Sequence, residues 1–454
     1  MKRPNRRTTH HHVEGRQRTI PLLIALLSAL ALVAGACGND NKDAATDGGT
    51  TAATTPKYTP PAQDSDVKEL NIFLIPSPSS TSIQSFIPAF EKETGIKVNF
   101  TETPYTEAHN KQLLSYKQKA GAYDIAQFDN TYLANFGVNQ VMAPLDDYLA
   151  NSPAYDTTDF SQGQLEYGKY KNTTYGLTLS TEPMIQWYRT DLLADAGLEP
   201  ATTWDEYLAN AEALKAAGKG GNVLGFGPGV TWWWMTLVWS FGGKLYDDNL
   251  KPQVTSDAVV KATEYLKKLL EAAPDGASSL DGDTSVAKFF STDVGQMLNY
   301  SGYYGSVKDP ATNPYIDKFE TARMPMGETD ITHLAGWNIG IPSDSKKQDA
   351  AWKFMEFVLG KSNAVDYLKS GAAAIGRKSI TSNAELITTN PYLPLLDIPA
   401  ESRIERYPQL KVWPDFQKAA DEAVTPMLTG DVDIKTGLAD LNTKLAGILA
   451  GENE

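Results

Sequence analysis

The sequence has a single cysteine, Cys37, in 454 residues. One cysteine excludes an intramolecular disulfide framework and every multi-cysteine zinc or iron–sulfur pattern. Histidine is almost as scarce. Of five, three form the run His10-His11-His12, leaving His109 and His333. That is too few for a histidine-based metal site, and no metal or cofactor is expected. Positive charge is the next deficit: 41 Lys and Arg face 55 Asp and Glu, a formal net charge of −14. A nucleic-acid partner needs a basic footprint, so none is expected. No Walker-type phosphate loop is evident, and no repeat at solenoid periods. What is present is a composition of 41% hydrophobic and 21% charged residues, which belongs to a folded chain rather than a disordered one. The length allows two or three domains.

The cationic charge gathers at one end. Residues 1–36 carry Lys2, Arg3, Arg6, Arg7, Arg16 and Arg18 against Glu14; the rest holds 35 basic and 54 acidic residues, net −19. Ile20 to Ala36 is an uncharged run of 17 residues ending in small side chains. A membrane-spanning helix wants about 20 apolar residues, and the chain turns polar at once. Residues 1–36 therefore read as an export signal. Val33-Ala34-Gly35-Ala36-Cys37 resembles a bacterial lipobox, with Ala34 where leucine is most frequent. The resemblance implies a lipidated Cys37 and a chain anchored on the extracellular face of the cytoplasmic membrane, where several acyl chains hold and one does not. Residues 37–66 are polar without apolar period and are expected to be a disordered tether.

Beyond the tether, strand and helix patterns alternate. Leu70 to Ile75 is a short β-rich run. Ile83, Phe86, Ile87 and Phe90 then follow helical spacing, stopped by Gly95. Ile96, Val98 and Phe100 alternate as a strand does, a helix follows from about 106 to 120, and 124–128 is the next strand. The β-α-β-α-β order implies a parallel sheet. Later helices are expected behind the capping box Thr203-Trp204-Asp205-Glu206, behind a Ser256 cap, over 350–358, and along Ile434, Leu438, Leu441, Leu445 and Ile448. Two α/β lobes are the economical arrangement.

Several segments, in order, resemble one family. Pro88-Ala89-Phe90-Glu91-Lys92-Glu93-Thr94-Gly95-Ile96-Lys97-Val98 is similar to the opening of the family 1 extracellular solute-binding proteins, the maltose-binding-protein-like receptors of ABC sugar importers. Tyr123-Asp124-Ile125-Ala126 before Asp129, Tyr175-Gly176-Leu177, the stretch from Trp187 to Leu193, Gly336-Trp337-Asn338-Ile339-Gly340-Ile341-Pro342 and Arg406-Tyr407-Pro408 resemble its later landmarks. Together they span about 70–449. The resemblance implies a two-lobe periplasmic-binding-protein fold, each lobe a mostly parallel sheet flanked by helices. Lobe one would be 67–178 plus 325–373 and lobe two 179–324 plus 374–454. It also implies a ligand cleft closing by hinge motion, an ABC permease as partner, a monomeric receptor and no enzymatic activity.

A sugar needs hydroxyl partners and flat apolar surfaces, which carboxylates and aromatic rings supply. Asp129 lies just past a predicted strand, where open α/β sheets bind ligands; it equally suits a helix N-cap. Glu182 falls at the family's interlobe carboxylate position, or is a surface glutamate. All nine tryptophans lie at or after position 187, four of them between 232 and 239. Three consecutive tryptophans cannot all face one side of a helix, so Trp232 or Trp233 is expected to stack on ligand, with Trp239 in the core. Tyr303 stands where the family has a tryptophan, and Trp337 matches a family cleft aromatic. Ser80 and Asn338 are candidate hydroxyl contacts from cleft loops. Arg406 is a candidate for hydroxyl binding or an interlobe ion pair. The expected ligand is a mono- or oligosaccharide. The alternatives are a non-sugar solute such as a polyamine and, further off, a glycosidase using Asp129 and Glu182.

Overall fold

The computed structural model describes residue 58 and residues 61–160, 162–305, 307, 313–398 and 402–453. The expected export signal, Cys37 and the tether as far as residue 57 lie outside the described residues. The described strands are β1 (Glu69–Leu74), β2 (Lys97–Glu102), β3 (Ile125–Asp129), β4 (Lys169–Tyr170), β5 (Thr173–Thr174), β6 (Leu177–Thr178), β7 (Glu182–Arg189), β8 (Gln296–Tyr300), β9 (Phe319–Arg323), β10 (Ile331–Ala335), β11 (Trp337–Gly340) and β12 (Arg403–Arg406).

The first lobe is built on the sheet β2-β1-β3-β11-β6. β1 pairs parallel with β2 and β3, while β11 runs antiparallel to β3 and β6. Its opening helix, Pro78–Thr94, starts on a capping box between Ser77 and Ser80 and ends at Gly95 with φ 74°. That left-handed conformation suits glycine. Ile83, Ile87 and Phe90 bury one face of the helix against Phe354, Met355 and Val358 of the helix Gln348–Leu359.

The second lobe is built on β12-β10-β7-β8, with β9 also pairing β7. β7 runs antiparallel to β8, β9 and β10, and the β10–β12 pair is parallel. Both sheets are thus more mixed than the expected mostly parallel pattern. The chain re-crosses between lobes over very few residues, so the returning strand runs against its neighbour. β10 lies in the second sheet, and the chain returns to the first sheet at Trp337 rather than at 325. The second core gathers the helices Trp204–Ala216, Thr231–Ser240, Asp257–Ala272, Trp413–Thr429 and Ile434–Ala450. The Thr203–Glu206 capping box forms. Ser256 stands at its N-cap position, but its hydroxyl makes no capping bond.

Part of the segment expected as a disordered tether is held by the first lobe. Gln348 Nε2 donates to the Tyr58 hydroxyl at 2.7 Å, which donates to Ser343 O at 3.1 Å. Gln63 Oε1 accepts from Gln348 N at 2.8 Å. Tyr58 also packs on the first lobe's apolar cluster, and that contact is what polar composition concealed. No helix among the described residues is long and apolar enough to cross a membrane.

Candidate functional site

Three stretches link the lobes, and the first is hydrogen-bonded to each of the other two. Leu179–Thr181 separates β6 from β7, Gly336 separates β10 from β11, and the third passes Ala374 and Gly376. Leu179 N donates to Trp337 O at 2.7 Å, Thr181 N to Ala374 O at 3.1 Å, and Gly376 N to the Thr181 hydroxyl at 3.3 Å. Gly336 has φ 148°, and a Cβ there would sit 2.1 Å from Ser180 O. Only glycine allows that approach.

These crossovers bring two carboxylates to one boundary. Asp129 ends β3 and is the register partner of Trp337; Glu182 begins β7 opposite Ala335. Asp129 is 8% exposed. Its Oδ1 accepts from Thr131 N at 2.7 Å, so it also caps the turn Asn130–Tyr132. Burial pushes its carboxyl up to about 6, against hydrogen bonds from Thr131 and Tyr105. Glu182 accepts from the Ser180 hydroxyl. Burial pushes it up to about 7, opposed by Ser180 and reinforced by the negative charge of Asp129. Gly302 lies in the 3₁₀ turn Ser301–Tyr304, and a Cβ on it would fall 2.3 Å from Glu182 Oε2. Among the described residues, no cationic side chain pairs with either carboxylate.

Aromatic rings surround the pair. From the first lobe, the Tyr105 ring meets Trp337 edge-on at 5.9 Å and stacks on Tyr132 at 6.0 Å. From the second, the Tyr300 and Tyr407 hydroxyls are hydrogen-bonded at 2.9 Å, and Trp232 lies 6.2 Å from the Tyr407 ring. The Asp129 charge reaches Tyr105, Tyr300 and Tyr407, which marks these rings as its surroundings. The lobes are drawn together over this site. Gln409 Nε2 donates to Asn130 Oδ1 at 2.8 Å and Asn135 Nδ2 to Lys411 O at 3.4 Å. Two lobes on separate sheets, a first crossover bonded to each of the other two and a polar-aromatic boundary describe a hinged cleft.

Residues 76–365 match the family described as bacterial extracellular solute-binding protein. The chain belongs to that family. It is a binding protein and not an enzyme, which removes the glycosidase alternative. It is 27% identical over 333 residues to a probable amino-acid ABC transporter periplasmic-binding protein of Sinorhizobium fredii, covering 71% of this chain and 75% of that one. The mannitol-binding protein of Pseudomonas aeruginosa is 26% identical over 254 residues, covering 52% and 56%. Among solved structures, a solute-binding protein of Agrobacterium radiobacter K84 in complex with ribitol superposes with a TM-score of 0.77. It has 24% identity and covers 85% of this chain and 100% of that one. Maltose-bound MalE3 of T. maritima gives 0.75 at 19% identity, covering 83% and 98%. These likenesses are of fold.

In this solute-binding protein the nine candidate residues separate into two groups. Asp129, Glu182, Trp337 and Trp232 meet around the boundary just described. Arg406, at the end of β12, lies with its guanidinium 5.9 Å from the centroid of the Tyr167 ring, which the charges of both carboxylates reach. Tyr303 follows Gly302 and donates to Asp283 Oδ1 at 2.5 Å.

The others have packing or capping duties. Trp233 is 1% exposed, donates to Leu298 O at 2.8 Å and packs its six-membered ring close against Gly225, so it is core rather than platform. Trp234 donates to the Thr263 hydroxyl at 2.9 Å. The triplet thus points three ways, as helical rotation requires. Ser80 accepts from Ser77 N at 3.0 Å and sits 3.2 Å from Glu102 Oε1, inside its capping box. Asn338 is not in a loop. It stands in β11 between Phe128 and Thr178, fully buried against Gly168 and Gly176.

Tyr105, Tyr167, Tyr300 and Tyr407 were not singled out from sequence. Tyr300 ends β8 and Tyr407 follows β12, so position at a strand end was the available signal. His333, fully buried in β10, meets Tyr300 and Tyr407 edge-on at 5.5 and 5.3 Å. Its Nδ1 is 2.6 Å from Thr236 Oγ1, and burial pushes it down to about 3, which keeps it neutral. Among the described residues no three acidic, histidine or cysteine side chains gather as a metal site.

Proposed function

We propose that this solute-binding protein captures a sugar or polyol between its lobes and delivers it to an ABC permease by hinge closure. The observation that carries the reading is that Asp129 and Glu182, one at a strand end of each sheet on either side of Gly336, act on each other's charge, with tyrosine and tryptophan rings nearby. Ionised carboxylates accept several O–H bonds, and rings cover the C–H faces of a sugar while their polar tips stay available. Closing the lobes on a ligand excludes water from both kinds of contact, which strengthens them. The relatives support this class. One is a mannitol-binding protein, another a diacetylchitobiose-binding protein of Streptomyces coelicolor.

The same reading makes Cys37 the lipid anchor after removal of residues 1–36, with the monomeric receptor on the extracellular face of the membrane. Tyr58 and Gln63 would then tie the last part of the tether to the first lobe, leaving the second lobe as the moving part. Isothermal titration against maltose, D-mannitol, ribitol and diacetylchitobiose tests the ligand class. Binding of any of these with micromolar affinity is expected. Silence across the set, with tight binding of free amino acids, would replace the reading. Mass spectrometry of the mature N-terminus tests the anchor, with an acylated Cys37 expected and an unmodified chain starting elsewhere refuting it.

A further inference from the structure

Arg406 stands beside the Tyr167 ring, which the charges of Asp129 and Glu182 also reach, but it pairs with neither carboxylate. Asp129 and Glu182 are close enough for one charge to act on the other, and no cationic side chain among the described residues pairs with either. A buried and a half-buried carboxylate, neither paired with a cation, are costly to keep ionised side by side unless something supplies a partner. Around them stand electron-rich faces, those of Tyr105, Trp337, Tyr300 and Tyr407, which suit a cation as well as a sugar ring. A second set of atoms asks for something different. The Trp232 indole N–H is buried without a protein partner, and so is the hydroxyl of Ser301, a residue 1% exposed. Trp232 borders Tyr407, and Ser301 opens the turn that holds Gly302 against Glu182. An indole N–H only donates, so it needs an acceptor oxygen. A bare polyamine has none to offer, and a neutral sugar brings no positive charge.

We infer that the solute carries both features: a hydroxylated ring or chain bearing a protonated amino group, as in an amino sugar or amino polyol. The ammonium would sit between Asp129 and Glu182, and an oxygen would accept from Trp232. This rests on the sugar-or-polyol reading above and narrows it.

The test is titration calorimetry of the whole mature protein with matched pairs differing in one group: D-glucosamine against D-glucose, and 1-amino-1-deoxy-D-sorbitol against D-sorbitol, with spermidine as the third arm. The amine should bind at least about tenfold more tightly than its neutral twin, as a charge-assisted contact allows. Asp129→Asn and Glu182→Gln, which keep shape and remove charge, should each shrink that preference. A neutral twin binding as tightly as its amine, no binding by either amine, or a preference that survives in both variants overturns the inference while leaving the sugar reading intact. Spermidine binding with no carbohydrate or polyol binding overturns both.

Discussion

Gln409 of the second lobe donates from Nε2 to Asn130 Oδ1 of the first at 2.8 Å. Asn130 in turn donates to Tyr167 O at 2.6 Å, so one amide joins the strand end after β3, the Tyr167 turn and the opposite lobe. The bond exists only when the lobes are together. Asn130→Ala should therefore favour the open form. A hydrogen bond contributes about 0.5–1.5 kcal/mol net, so ligand affinity should fall by up to about tenfold, mainly through faster dissociation. Stopped-flow release and small-angle scattering of the unliganded protein check this. An unchanged off-rate would remove the latch from the closing mechanism.

Gly302 is the tightest steric test of the acidic site. A methyl group there meets Glu182 Oε2 at 2.3 Å, and the carboxylate must turn away. Gly302→Ala should cost binding at least about tenfold, because a charged hydrogen bond is lost. The helical cores should keep their melting temperature within a few degrees. Affinity equal to wild type would show that Glu182 does not contact ligand.

Trp232 and Trp233 should behave oppositely although they are adjacent. Trp233→Ala empties a core site against Gly225 and Leu298, and truncating a buried tryptophan costs about 3–5 kcal/mol. Trp232→Ala, which removes a half-buried ring at the edge of that core, should cost clearly less stability and weaken binding. Denaturant unfolding paired with titration separates the two, and equal destabilisation by both would place Trp232 in the core as well.

The carboxylates should also be visible in the pH dependence of stability. Asp129 and Glu182 are raised in the folded protein, to about 6 and about 7. The folded state then binds more protons than the unfolded chain between about pH 4 and 7. Their stabilising contribution is complete below the unfolded pKa and is lost as pH rises through the folded one. His333, pushed down to about 3, acts in the opposite sense over an overlapping range, losing stability as pH falls below about 6.5. The readout is therefore a difference. Asp129→Asn and Glu182→Gln should gain melting temperature relative to wild type as pH goes from 5 to 8. A pH-independent difference would mean that neither carboxyl is raised.

Arg377 holds the third crossover to the first lobe. It is fully buried, 3.4 Å from Asp159, and donates to Tyr155 O and Leu359 O at 2.8 and 2.7 Å. Removing one partner of a buried pair costs about 3–5 kcal/mol. Arg377→Met should lower stability by that order in chemical denaturation, and a loss below about 1 kcal/mol would show the pair to be dispensable.

Local pattern carried much of this protein. The helix Pro78–Thr94 was legible from apolar spacing and Gly95, and the Thr203–Glu206 box from four consecutive residues, because such signals act within one or two turns of chain. Asp129 was legible because a strand ended there. Trp233 was not separable from Trp232, since which indole meets Leu298 O depends on a strand more than sixty residues away. Ser80 and Asn338 carried the right chemistry for a cleft, yet one closes a helix cap and the other lies inside a sheet.

Composition, charge and the order of strand and helix signals argued against metal, disulfide and nucleic-acid chemistry and pointed to two α/β lobes, because each depends on residue type or short-range spacing. The direction of β11, the return to the first sheet at Trp337, and the ring of Tyr105, Tyr300 and Tyr407 around Asp129 and Glu182 came from folding alone. Those facts are set by contacts between segments as far apart as β3 and β12, and burial, which gives the two carboxylates their unusual affinity for protons, exists only once those segments have met.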